Sequence, residues 1–259
     1  MPRRRLNASA GDATDGCSLF DGRLTVRQPR AGYRFSLDAL LLAWWTAFDA
    51  DELILDAGCG AGVVALALAG LRGARRVVGM ERQGELAALA RANVRANALE
   101  ARVTIREGDL RSFPPELAGT FDVVCANPPF REVSGGRLSG DDGKAAARAE
   151  LTLTMPEVAQ AAAAALKKRG RLFLIHQPRR LAALMAALGD AAFGVETLRF
   201  VHPRAGAPAK LVLVAARRGG APETAVLPPL VIHGADGGYG PEVAALYRGE
   251  PDALAGAGA

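Results

Sequence analysis

The stretch Leu53-Ile-Leu-Asp56-Ala-Gly58-Cys-Gly60-Ala-Gly62-Val63 decides the fold. A short apolar run meets alternating glycines, and a longer apolar run opens at Val63, so a buried strand turns directly into a helix. Glycines at such a turn let the backbone bend tightly and come close to a ligand at the carboxyl end of a sheet. Downstream the alternation continues. Strands are expected at Arg76 to Met80, Arg102 to Glu107, Phe121 to Ala126 and Arg171 to His176, with helices at Val63 to Leu71, Glu85 to Ala98 and Pro156 to Lys168. That rhythm predicts a parallel sheet with right-handed crossovers. The last pair, Glu196 to His202 and Leu211 to Arg217, is joined by Pro203 to Lys210, too short for a crossover helix, so the final strand should run antiparallel. The expected fold class is α/β, a doubly wound seven-stranded and mostly parallel sheet.

Upstream, Arg23 to Gln28 alternates like a strand, and Ser36 to Phe48 reads as a helix with Ser36 as N-cap. Residues 1–16 lack periodicity and are expected to form a flexible tail. Residues 17–218 form the domain, and the Gly- and Pro-rich residues 219–259 form an extension packed on it or partly flexible, with Leu227 to His233 the piece suited to packing. Aromatic residues are 5% of the chain, so Leu, Val, Ile and Ala must build the core.

The net charge of +5 favours a polyanionic partner. Cys17, Cys59 and Cys125 have no metal-ligand spacing and cannot all pair, which suits a reducing compartment and no metal. No apolar run is long enough for a membrane span, and a cytoplasmic location is expected.

The glycine turn alone fits a dinucleotide or another adenosine-bearing cofactor. Asp56, just before Gly58, tips the balance: a carboxylate there can hold the ammonium of a methionine moiety but would repel a pyrophosphate. Glu81 follows the second strand, where it can accept from both ribose hydroxyls. Asp109 follows the third, where it can accept from an adenine amine while the Leu110 N–H meets a ring nitrogen. The expected cofactor is S-adenosylmethionine, cradled by Gly58, Gly60, Gly62, Asp56, Glu81, Asp109, Leu110 and Asn127.

Asn127-Pro128-Pro129-Phe130 follows the fourth strand. An adenine amine is a poor nucleophile because its lone pair is delocalised into the ring. Asn127 Oδ1 and the Pro128 carbonyl can each accept one amine proton and turn the lone pair toward a methyl donor. Consecutive prolines such as Pro128 and Pro129 restrict the loop, and the Phe130 ring offers a face on which an extracted base can stack.

These motifs carry a resemblance. Gln28, the run Gly32-Tyr-Arg-Phe-Ser-Leu-Asp-Ala-Leu-Leu-Leu42, the glycine turn, the Asn-Pro-Pro-Phe corner and His202-Pro-Arg-Ala-Gly-Ala-Pro-Ala-Lys210 are similar to those of the bacterial tRNA adenine-N6 methyltransferases that modify adenine 37 of a valine tRNA. The resemblance implies the Rossmann-like class I methyltransferase fold and tRNA as partner. It also implies contact of Phe35, Ser36 and Asp38 with the methionine end of the cofactor. Read without the family, Ser36 is a helix cap and Asp38 a first-turn acid.

Arg131, Arg137, Lys144 and Arg148 lie in a glycine-rich stretch beside the catalytic corner, and Arg179, Arg180, Arg204 and Lys210 follow or precede other strand ends, so all are candidate RNA contacts. Three other readings stay open: N5-methylation of a protein glutamine, whose planar amide suits the same corner; a nicotinamide oxidoreductase using the glycine turn; and a non-catalytic module binding cofactor or RNA.

Overall fold

A computed structural model describes residues 4–5, 14–29, 36–128, 153–221 and 223–254. Its centre is a nine-stranded sheet. The first strands after the N-terminal region are β4 (Leu53–Ala57), β5 (Arg76–Glu81), β6 (Val103–Glu107), β7 (Phe121–Ala126) and β8 (Leu166–His176). They are followed by β9 (Phe193–Arg204), β10 (Leu211–Arg218), β11 (Ala225–Val226) and β12 (Leu230–His233). The order across the sheet is β11-β9-β10-β8-β7-β4-β5-β6, with β12 also on β9. Only β10 runs against its neighbours, pairing antiparallel with β8 and β9 as the short connection requires. The order reverses between β4 and β7, where a doubly wound sheet leaves a crevice at its carboxyl edge.

Both faces of the sheet are covered, so the central strands are apolar on both sides. Along β7, Val123 and Cys125 enter one core while Phe121, Val124 and Ala126 enter the other. The first core takes in α1 (Leu37–Trp45), α2 (Val63–Gly70), the inner stripe of α3 (Gly84–Ala96) and α6 (Pro241–Arg248); the second takes in α4 (Met155–Ala165) and α5 (Leu181–Asp190). All three cysteines are buried, and none forms a disulfide.

Several boundaries differ from the sequence reading. The helix expected to reach Lys168 stops at Ala165, because Leu166 pairs with Phe121 at the start of β8 and is fully buried there. The pairing slips between Phe121 and Val123, and Arg169 takes φ 62 in the irregular stretch. Helix α5 has no counterpart in the expectations. Ser36 does occupy the N-cap position of α1, yet its hydroxyl makes no capping bond and donates to Asp38 instead.

A separate three-stranded sheet, β1 (Arg4–Arg5), β2 (Thr14–Leu19) and β3 (Leu24–Pro29), lies against α3. It begins ahead of the Cys17 boundary. The extension after residue 218 joins the main body: Leu230, Val243, Leu246 and Leu254 are in the first core, and the Trp44 indole N–H donates to the Glu250 carbonyl at 2.6 Å.

Candidate active site

The glycine turn is anchored by backbone bonds. Gly58 and Cys59 both donate to the Met80 carbonyl, at 2.9 and 3.0 Å, tying the turn to the end of β5. Gly58, Gly60 and Gly62 all have positive φ, the region that disfavours side chains. A Cβ on Gly62 would also sit 3.3 Å from the Ala90 Cβ, so α3 lies directly against the turn. Asn93, fully buried on that helix, donates to the Ala61 carbonyl at 2.9 Å and exchanges hydrogen bonds with the Arg27 backbone at 2.8 and 2.9 Å. It staples the turn to β3. No sequence expectation named it, although a polar residue on the apolar stripe of Ala87, Ala90 and Val94 was a visible signal.

Asp56 and Glu81 are both buried. Asp56 Oδ2 accepts from the Ala65 N–H at 3.1 Å. Burial pushes its pKa up to about 7; the Ala65 bond acts in the opposite direction, and the Glu81 charge raises it further. Burial likewise holds the neighbouring Cys59 and Cys125 thiols protonated. Glu81 Oε2 accepts from Gly60 N–H at 2.9 Å and Oε1 from Gln83 N–H at 2.9 Å. Each carboxylate oxygen has two acceptor positions, so Glu81 keeps capacity for further donors.

Asp109 is differently placed. Its oxygens accept from the Arg111 backbone and guanidinium, and Arg82 pairs with it at 3.3 Å. Four donors match the roughly four lone-pair positions of a carboxylate. The Arg111 side-chain bond holds its pKa below the usual range. Leu110, next in the chain, is buried.

At the carboxyl end of β7, Asn127 is half-buried and Pro128 buried. Asn127 Nδ2 donates to Asp38 Oδ2 at 3.3 Å, across 89 residues of chain. Asp38 is itself fixed, since its Oδ1 accepts from the Ala39 N–H at 3.0 Å and from the Ser36 hydroxyl. A carboxylate only accepts, so the Asn127 amide must present its NH2 to Asp38, and Oδ1 lies on the other side of the amide. The structure therefore brings Asp38 and Ser36 to the Asn127 corner. Pro129, Phe130, Phe35, Arg131, Arg137, Lys144 and Arg148 lie outside the described residues. Arg179, Arg180, Arg204 and Lys210 stand along the same carboxyl rim, after β8, at the end of β9 and before β10. Among the described residues no cluster of His, Cys, Asp or Glu could hold a metal, and no helix is long and apolar enough to cross a membrane.

A family model for the methyltransferase small domain matches residues 38–192, the segment that holds the glycine turn, both buried acids and Asn127. The chain belongs to that family. Among relatives, a tRNA1(Val) (adenine(37)-N6)-methyltransferase of Porphyromonas gingivalis W83 is 36% identical over 163 residues, covering 60% of this chain and 63% of that protein. One of the same name from Dickeya chrysanthemi is 26% identical over 228 residues, 86% of this chain and 89% of the other. The chain thus spans less than two thirds of the Porphyromonas protein it matches. Among solved structures, a predicted O-methyltransferase of Agrobacterium tumefaciens, Atu636, superposes with TM-score 0.66 at 29% identity, covering 82% of this chain and 96% of that one. P. horikoshii TYW2 in complex with MeSAdo does so at 0.57 and 16%, covering 82% and 74%, a likeness of fold alone. Both solved structures share the fold of this chain.

Proposed function

We propose that the protein transfers a methyl group from S-adenosylmethionine to the exocyclic N6 of an adenine in tRNA, at position 37 of the anticodon loop, in the cytoplasm. The Asn127–Asp38 hydrogen bond carries the reading, because it sets the amide in the orientation that an amine nucleophile needs.

The residues fit the cofactor. The glycine turn keeps backbone close to the crevice, Glu81 has acceptor capacity for ribose hydroxyls, and Asp56 is a buried acid, paired with no cation among the described residues, that an ammonium would satisfy. When bound, S-adenosylmethionine supplies an electrophilic methyl on a positively charged sulfur. Asn127 Oδ1 accepts one N6 proton and the Pro128 carbonyl the other, which localises the nitrogen lone pair in line with the methyl. The new bond is N–C, the broken one S–C, and the surplus N6 proton leaves to water. Asp38 keeps Asn127 from rotating. Asp109 could take an adenine amine only by releasing one of its arginine donors, so Leu110 N–H is left as the adenine contact at that edge.

A glutamine side-chain amide would suit the same corner. The names of the relatives and the basic rim favour RNA. The purified protein, S-adenosylmethionine and an unmodified valine tRNA transcript, followed by nucleoside mass spectrometry, should yield N6-methyladenosine. An unmethylated transcript beside a methylated glutamine peptide would overturn the proposal.

A further inference from the structure

The extension after residue 218 carries a feature that the methyl-transfer site does not use. His233, at the end of β12, and Tyr239 form an antiparallel bridge across a tight hairpin, in which Gly234 N–H donates to the Gly238 carbonyl at 2.9 Å. Their rings stack with centroids 5.4 Å apart and planes at 17°. Behind Tyr239 the stack continues through Tyr247 of α6 at 4.7 Å, Phe20 at 6.3 Å and Trp44 of α1 at 5.4 Å. The inner rungs are buried, Phe20 at 7% and Trp44 at 3% exposure. The outer ones are not: Tyr239 is 38% exposed, one of two large apolar residues so exposed among those described, and His233 is only partly buried. A ladder serving only to pack the extension would have no need of rungs in water.

Its place in the sheet gives it a partner. β12 runs parallel to β9, and His233 is in register with Arg204, so the hairpin stands on the same carboxyl rim as Asn127. From β7 the sheet steps through β8, β10 and β9 to β12. Four steps at the usual strand spacing give about 19 Å, a span that several nucleotides of extended strand can cover. Arg179, Arg204 and Lys210 are exposed along that path, and no acid among the described residues pairs with Arg204 or Lys210. Asp236 at the hairpin tip is the opposing charge; its Oδ1 accepts from Gly238 N–H at 3.0 Å.

We propose that His233, backed by Tyr239, is a stacking platform for a second unpaired base of the RNA substrate, with Arg204 and Lys210 holding the phosphates between it and the base at Asn127. Aromatic faces bind unpaired bases of any sequence, while cations beside them track the backbone. The inference rests on the RNA reading above.

The test uses the full chain and the transcript that the wild type methylates. His233→Ala should raise KM for the transcript about 5- to 150-fold. The single-turnover rate at saturating RNA, the S-adenosylmethionine affinity and the salt slope of RNA binding should stay unchanged. His233→Phe, which keeps a flat ring, should restore KM, and Arg204→Ala should flatten the salt slope. In an anticodon stem-loop carrying 2-aminopurine at successive loop positions, one position other than the target should be quenched by the wild type and by His233→Phe, but not by His233→Ala. A wild-type KM for His233→Ala overturns the platform, as does an equal loss in the Ala and Phe variants with a lowered Tm, the mark of a packing role. A wild type that methylates no RNA at all overturns the underlying reading, and so the two failures are told apart.

Discussion

Two corners at the carboxyl ends of adjacent paired strands, β4 and β7, are built by opposite means. At the β4 corner the acids are satisfied by nearby backbone, Asp56 by Ala65 and Glu81 by Gly60 and Gln83, and the turn is held by the Met80 carbonyl and by Asn93 of α3. At the β7 corner the Asn127 amide donates to a side chain of a remote helix, Asp38, 89 residues away. In the first corner both acids find their partners within β4, β5 and the residues that follow them, and Asn93 adds the tie to β3. The second needs the assembled domain, because α1 must dock on the sheet before Asp38 can reach Asn127. A cradle for a cofactor shared by many enzymes can be encoded in a short motif, whereas the group proposed to aim the nucleophile is oriented by a contact that no short motif contains.

If the β7 corner aims the nucleophile, Asn127→Ala should lower the single-turnover rate by about 10²- to 10³-fold, the usual loss for one pre-organised polar group at a reacting atom. S-adenosylmethionine affinity, measured by calorimetry, should stay within severalfold. A near wild-type rate would break the comparison, because the β7 corner would then hold no reacting group.

Asp38→Ala sharpens it. Losing a hydrogen bond to a charged partner should reduce the rate about 10- to 100-fold while leaving cofactor affinity unchanged. In an Asn127→Ala background the same change should cost little, since a residue acting only through Asn127 has nothing left to position. Weakened cofactor binding in Asp38→Ala alone would return Asp38 to the cofactor side, as the family resemblance implies.

The contrast also explains what was legible in the sequence. The glycine turn, the strand ends bearing Asp56, Glu81 and Asn127, and the antiparallel last strand follow from local residue types and loop length. The Asn127–Asp38 and Asn93–Arg27 bonds join segments far apart in the chain, so no window of sequence holds both partners. The end of α4 was hidden for a related reason: lysines after an alanine run favour helix, yet the pairing of Leu166 with Phe121 overrides that preference. Helix α5 was legible, with Leu181, Leu184, Met185 and Leu188 at helical spacing.

The pH dependence of the β4 corner gives a smaller effect. Asp56 holds its proton up to about 7 in the native protein, and an ammonium ligand requires the ionised form. Cofactor affinity should therefore fall about tenfold from pH 8 to pH 6, and in Asp56→Asn it should be weaker with that dependence gone. Stability moves the other way. Between about 4, where an unfolded aspartate titrates, and about 7, the native state binds the proton and the unfolded state does not, so Asp56 makes stability fall as pH rises through that window. Asp56→Asn should accordingly have the higher Tm at pH 8 while binding cofactor less well. An affinity flat across this range would show that Asp56 meets no ammonium.

The smallest effect is expected at Asp109, which looked equivalent to Glu81 in the sequence because both are acids just after a strand. Glu81 is buried and accepts only from backbone N–H groups, whereas Asp109 is partly exposed and engaged by Arg111 and Arg82. Ion pairs so exposed contribute about 0–1 kcal/mol. Asp109→Asn keeps an oxygen for the Arg111 backbone N–H, and with it the turn that positions Leu110, while removing the charge that holds the two arginines. Calorimetry should find S-adenosylmethionine affinity within about threefold of wild type and Tm nearly unchanged, as expected of a surface ion pair. A tenfold or larger loss would mean that Asp109 exchanges an arginine for the adenine amine when cofactor binds, and the third strand end would then join the cradle beside Glu81.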